Sequence, residues 1–330
     1  MTTKNPFYRN HLIRDGINQA IYDAMQLDPS IYLFGEGAWV KAKYDAPQIL
    51  NEFPDRIVTL PIAEDGSVNF AVGTSLLGVT PIINLITSDF AFRAFDSIAN
   101  TAAKLNFILP DNEPRRTIVI QAEFLLGGPT TGQRVEALFA HIPGLYVVIP
   151  STPRDAYGLM RTALETPGVT VFFEDRMVPD SHICTVEQLS PFHDENKPIT
   201  FGQARHCTHP AKPTLTVVAY ALMREYVEGL LWEHHLLERV ELLDLRTLHP
   251  LDINTIYGSV RTTRKLLIVE PDVEFGGIGA EIAAQLLEED LSFTLVRLGG
   301  PREVIPASRE GQARMLPSRE QILEAIRGFV

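Results

Sequence analysis

The chain has 330 residues, enough for two ordinary domains or one large α/β domain. Apolar residues make up 45% and charged residues 21%, which excludes wholesale disorder and allows a large packed core. Lysine plus arginine number 29 against 41 aspartates and glutamates; a net charge of −12 argues against a nucleic-acid or anionic-membrane partner and suits a basic protein partner.

In chain order, Met1–Asn10 lacks the apolar core of a signal peptide. The two cysteines, Cys184 and Cys207, are too few for a disulfide framework, and a reducing cytoplasmic setting is expected. Ile13, Ile17, Ala20, Ile21 and Ala24 recur at helical spacing. Apolar runs at 31–34, 57–60, 82–85, 117–121, 146–149 and 169–173 read as parallel strands covered on both faces. The uncharged stretch Gly66–Ser88 could be mistaken for a membrane span. Its glycines, Pro81 and polar residues make it a buried helix, a turn at Gly78 and a buried strand. Phe95, Ile98, Ala99 and Ala102 keep helical spacing, and Thr152, Pro153 and Asp155 announce a capped helix. A proline-punctuated stretch from Met177 to about Lys212 reads as the linker. A second alternation follows: strands at 214–220, 240–245, 266–269 and 293–296, helices at 224–237 and 280–287, a short helix capped by Asp252, and a last helix opened by Ser318 and Gln321 in capping-box spacing. The expected fold is α/β: a doubly wound, mostly parallel sheet over residues 1–185, a linker over 186–212 and a smaller α/β domain over 213–330.

Phosphate loops, nucleophile elbows and His-Glu-x-x-His are absent. The pair His234–His235 points to different helix faces and reads as solvated. Gly277-Ile278-Gly279 follows a strand and precedes a helix. The third glycine of a dinucleotide turn is replaced by Ile282, so close backbone packing is the preferred reading. Leu60–Ser67 (LPIAEDGS) is more informative. Glu64 stands after a strand and before an uncharged helix, where a carboxylate should be desolvated and its pKa raised. Favouring the helix dipole is an equal alternative on spacing alone.

The segment LPIAEDGSVNFAVGTSLLGVTPI resembles the Pro-Ile-(Ser/Ala)-Glu-x-Gly signature of the beta subunits of thiamine diphosphate-dependent 2-oxo acid dehydrogenases, in the transketolase superfamily. The blocks IRDGINQAI, SDFAFRAFDSIANTAAK, FAHIPGLYVVIPSTPRDAYGLM, VELLDLRTLHPLD and VEPDVEFGGIGAEIAA continue it in order over nearly the whole chain. The resemblance implies a pyrimidine-binding domain followed by a transketolase C-terminal-type domain. It implies that Glu64 bonds the aminopyrimidine of thiamine diphosphate and drives its tautomerisation. Phe90 would pack on that ring, with Leu60, Ile62 and Phe92 lining the pocket more weakly. Glu36 would be a second carboxylate near the cofactor, in a proton relay or in a salt bridge.

One departure stands out. Where the family has Gln-His-Ser-Gln, this chain has Thr130-Thr131-Gly132-Gln133, so Thr131 replaces a histidine and can only hydrogen-bond. That leaves cofactor activation intact and puts acyl transfer to lipoamide in question. The Gly-Asp-Gly…Asn motif for diphosphate and Mg2+ is missing; Asp65-Gly66 with Asn69 is a chance likeness. The resemblance therefore implies an alpha subunit that binds the diphosphate and Mg2+, an α2β2 heterotetramer and a small 2-oxo acid substrate, with a lipoyl acyltransferase core as a further partner. A split transketolase-like carboligase, favoured by Thr131 and by Val304–Ser308 (VIPAS), is the alternative enzyme; a non-catalytic assembly subunit is the alternative of another class.

Overall fold

The computed structural model describes residues 13–38, 46–125, 127–176 and 197–330. Among them, seven strands form one sheet in the order β10-β5-β6-β4-β3-β1-β2: β1 Ile31–Gly35, β2 Ile57–Thr59, β3 Thr80–Thr87, β4 Thr117–Phe124, β5 Leu145–Val148, β6 Gly168–Asp175 and β10 Thr247–His249. Every pairing is parallel except β10 on β5. A second sheet runs β12-β11-β8-β9-β7, formed by β7 Arg205–His206, β8 Leu215–Ala219, β9 Val240–Asp244, β11 Lys265–Val273 and β12 Thr294–Gly300. It is parallel except for β7. This is the expected α/β architecture.

The strands read as unbroken apolar runs because both faces are covered. In the first sheet, Ile82, Val119 and Phe172 face the helices Ile13–Leu27 and Pro153–Glu165 in one core cluster. Their neighbours Ile83, Ile118, Ile120, Val171 and Phe173 face the other way. That second cluster continues into the second sheet through Val218, Leu266 and Ile268, so one apolar layer joins the two sheets. The opposite face of the second sheet, with Val217, Leu267 and Val269, closes on Ile322 and Ile326 of the last helix. That helix carries the expected capping box of Ser318 and Gln321, and Thr152 and Asp252 cap theirs.

Several local expectations change. The helix Glu64–Leu76 is buried on one face only: Ser67, Val68, Ala71 and Val72 point inward, while Phe70 and Leu76 are each 44% exposed and Leu77 85%. Gly66–Ser88 is apolar for two reasons, a core face and an outward face. Residues Ser97–Ala102 form a π-helical turn. The helix expected at 224–237 runs Ala221–Glu233 and stops where His235 takes a φ of 56°, so the two histidines follow a helix end instead of flanking its faces. β10 was not foreseen; three residues from the second half of the chain complete the first sheet. Of the stretch 186–212, residues 186–196 lie outside the described residues. The rest is packed: Ile199 N–H bonds Gly158 O at 3.0 Å, Phe201 meets Tyr146 at 5.2 Å between ring centroids, and β7 pairs with β9. Among the described residues no helix is long and apolar enough to cross a membrane.

Candidate active site

In the first sheet the strand order reverses between β1 and β3: the chain leaves β1 toward β2 on one side and β3 toward β4 on the other. Open parallel sheets hold ligands at the carboxyl ends of the strands flanking such a switch point. All six residues singled out above stand at this edge. Glu36 follows β1, Leu60 follows β2, Phe90 and Phe92 follow β3, Ile62 lies between β2 and the next helix, and Glu64 opens that helix.

The local backbone explains the convergence. Leu60 N–H donates to Gly35 O at 3.0 Å, so the chain leaves β1 and β2 side by side. Gly35 has a φ of 141°, and a Cβ there would lie 2.4 Å from Asn84 O of β3, so only glycine allows this approach. Ile86 adopts φ 65°, uncommon for a β-branched residue, with its N–H held by Asn84 Oδ1 at 2.8 Å. This strain sits where β3 delivers Thr87–Phe92 to the edge.

Glu64 is the first residue of its helix and only 8% exposed. Its charge suits the helix N-terminus. Glu36 lies close enough to feel it. Burial first, then the charge of Glu64, pushes the Glu36 carboxyl above the usual range, while the backbone N–H of Ala63 opposes the shift. Glu36 Oε1 is buried without a hydrogen-bond partner. Burial and a like charge nearby both favour the protonated form of a carboxyl such as Glu36. Phe90 is half-buried and Leu60 packs on the core. Ile62 (83% exposed) and Phe92 (40%) stand outward instead of forming a closed wall, and Phe70, Leu76 and Leu77 are exposed along the helix that Glu64 opens and at its far end.

Asp89 was passed over in the sequence although it sits in the Ser-Asp-Phe block. Its Oδ2 accepts Gln133 N–H at 3.1 Å, and Ser88 Oγ donates to Gln133 O at 3.0 Å. Burial holds its carboxyl above the ordinary range, against the Gln133 N–H and the Thr87 hydroxyl. The loop carrying Thr131 is thereby tied to the residue next to Phe90. Thr131 itself packs on Gly127, where a Cβ would lie 1.8 Å from its Oγ1. Asp65 and Asn69 bond Ser97, so they brace the helix against the π-helical turn.

Gly277 and Gly279 serve an internal carboxylate. A Cβ at Gly277 would lie 2.4 Å from Glu270 Oε2, and Gly279 N–H donates to that oxygen at 3.1 Å. Glu270 of β11 occupies the helix N-terminus where a nucleotide phosphate would otherwise sit, which accounts for the close-packing reading.

Comparison with known proteins agrees with this architecture. The family model described as the transketolase pyrimidine binding domain matches residues 11–179, and that of the transketolase C-terminal domain matches residues 206–322. The chain is 30% identical to a pyruvate dehydrogenase E1 component subunit beta of Rickettsia felis, over 96% of this chain and 97% of that one. It is 31% identical to the mitochondrial 2-oxoisovalerate dehydrogenase subunit beta 2 of Arabidopsis thaliana, over 95% and 87% respectively. A solved structure titled as an inactive beta4 tetramer of a split-gene transketolase superposes with a TM-score of 0.78 at 20% identity, over 96% of this chain and 97% of that one, a likeness of fold.

Proposed function

The chain belongs to the beta subunits of thiamine diphosphate-dependent 2-oxo acid dehydrogenases, in the transketolase superfamily, and on that premise we propose that it supplies the pyrimidine half of a thiamine diphosphate site acting on a small 2-oxo acid. The observation that carries this reading is the carboxylate pair at the switch point: Glu64 buried at a helix N-terminus, and Glu36 beside it with an orphaned oxygen.

An aminopyrimidine offers a ring nitrogen and an amine, groups that a pair of carboxyls can engage as donor and acceptor. When bound, thiamine diphosphate supplies an electron sink for breaking the bond beside a 2-oxo group. Glu64 holds a proton at the pyrimidine ring nitrogen. Glu36, whose protonated form is favoured by burial and by the charge of Glu64, exchanges protons with that pair. Phe90 gives the ring a flat apolar face with Leu60 beside it, and Ile62 and Phe92 keep water from its edge once a partner covers them.

The diphosphate and Mg2+ are assigned to an alpha subunit, because this sequence lacks the Gly-Asp-Gly…Asn motif. The exposed apolar side chains Ile62 and Phe92 at this edge, with Phe70, Leu76 and Leu77 along the helix and at its far end, are ones that such a subunit covers, closing the site in an α2β2 heterotetramer. The net charge of −12 suits a basic binding domain of a lipoyl acyltransferase core. A split carboligase passing its unit to an aldehyde is the second reading, favoured by Thr131 in the loop tied to Asp89.

The test is reconstitution with the alpha partner. Glu64→Gln should lower kcat by about 10²–10⁴-fold while leaving association with the partner unchanged. Full activity of that variant, or robust thiamine-dependent turnover by this chain alone, would refute the shared site.

A further inference from the structure

Two segments leave the carboxyl ends of β3 and β4, which are neighbours in the first sheet. One is the 3-10 turn Ser88–Phe92, which carries Phe90 and is capped by the Thr87 hydroxyl accepting the Asp89 N–H. The other is the loop that contains Thr131. That loop is anchored at its far end. Arg134 bonds Asp175 at 2.6 Å, its guanidinium lies 4.1 Å from the centre of the Phe124 ring, and Val135 is buried. Gln133 is the exposed residue just before this anchor.

Consecutive residues of the turn hold Gln133 on both sides of its Cα. Asp89 Oδ2 accepts its N–H at 3.1 Å, and Ser88 Oγ donates to its carbonyl at 3.0 Å. These partners stand 44 and 45 positions apart in the chain. A single bond would fix a distance and leave the loop free to pivot. Two bonds, one to the amide before the Cα and one to the carbonyl after it, fix its orientation as well. The bond to Asp89 is the stronger kind, since a carboxylate accepts it. The Thr87 hydroxyl donates to the same oxygen at 3.4 Å and steadies the carboxylate.

Capping its own turn is the plainer task for an acid in this position. Thr87 already performs it. The reach of Asp89 to a second loop needs another account, and its place beside Phe90 supplies one.

We infer that Asp89 is a positioning residue. It acts through Gln133 and not on the reacting atoms, clipping the Thr131 loop to the turn that carries Phe90, so that both stand in one register at the edge holding Glu36 and Glu64. The role rests on the active-site reading above; the clip itself does not. A group misplaced by about 1 Å can cost about 10²-fold in rate, which sets the scale of the effect.

The clip is read by hydrogen–deuterium exchange of the isolated full-length chain. Asp89→Ala should speed exchange of the amides at 131–133 at least tenfold and leave those of β6 unchanged. Asp89→Asn, whose amide oxygen still accepts the Gln133 N–H, should stay within threefold of wild type. The role is read in the chain reconstituted with its alpha partner, with pyruvate and 3-methyl-2-oxobutanoate as probe substrates and dichlorophenolindophenol as electron acceptor. Asp89→Ala should lower kcat at least tenfold, and Asp89→Asn should restore it to within threefold. Ser88→Ala should also lower kcat, and the double variant should lose less than the product of the two single losses, because both side chains hold the same residue. Ser88→Ala carries both measurements if Asp89→Ala does not fold. Unchanged loop exchange, or an Asn variant as impaired as the Ala variant, would overturn the inference. Wild-type kcat in Asp89→Ala with its loop freed would remove this role alone, whereas a wild-type pair inert toward both acids would remove the active-site reading and this role together.

Discussion

Replacing Glu136 by glutamine should flatten the pH dependence of stability. Glu136 opens the helix Glu136–Ala140 and is fully buried, its carboxylate accepting the Val135 N–H at 3.0 Å. Burial, helped by Asp272 and opposed by Arg134, pushes its pKa up to about 8. In the unfolded chain the group returns to about 4.5. Between those values the native chain holds a proton that the unfolded chain has lost. The contribution is therefore complete below about pH 4.5 and disappears as pH climbs through about 8. For a single group this amounts to a loss of about 2 kcal/mol between pH 6 and pH 8. Glutamine has the shape of the protonated acid and does not titrate, while Arg134 keeps its 2.6 Å bond to Asp175. Urea unfolding of both proteins at pH 6, 7 and 8 supplies the test. Glu270, pushed up to about 7 by burial, titrates in both and cancels in the difference. The wild-type curve should fall relative to Glu136→Gln by about 2 kcal/mol across that range. Parallel curves would refute the claim that Glu136 is folded with its proton on.

Two other outcomes follow from the packing. Gly279→Ala places a Cβ 2.8 Å from Glu270 Oε1 and 3.0 Å from Ile268 Cγ2, which should cost about 1–3 kcal/mol in urea unfolding, whereas Gly258→Ala, with nothing within 4 Å inside the helix Ile253–Thr263, should be neutral or stabilising by up to about 1 kcal/mol. Leu77→Asp, at an 85% exposed position, should leave the unfolding midpoint of the isolated chain nearly unchanged and weaken association with the alpha partner at least tenfold by sedimentation; unimpaired association would remove Leu77 from the interface.

Much of this protein is legible in its sequence because its signals are local. Continuous apolar runs mark β3, β4, β6 and β8, and the polar caps Thr152, Asp252 and Ser318 stop or start helices through bonds made within three residues. The burial of Glu64 was legible for a similar reason: an acid set between a strand end and a stretch free of charge from Gly66 onward is conspicuous in one dimension. The outward face of the helix that Glu64 opens was not, since Phe70 and Leu77 are apolar whether a core or a partner covers them. Tertiary structure alone could bring Glu36 beside Glu64 across 28 positions, tie Asp89 to Gln133, and surround Arg134 with acids from both sheets. It alone could also show that Gly277 and Gly279 make room for Glu270. The division is physical. Periodicity and capping are energies between neighbours in the chain, whereas a carboxyl that keeps its proton, or a buried donor left unmatched, depends on which distant segments the folded sheets set against it.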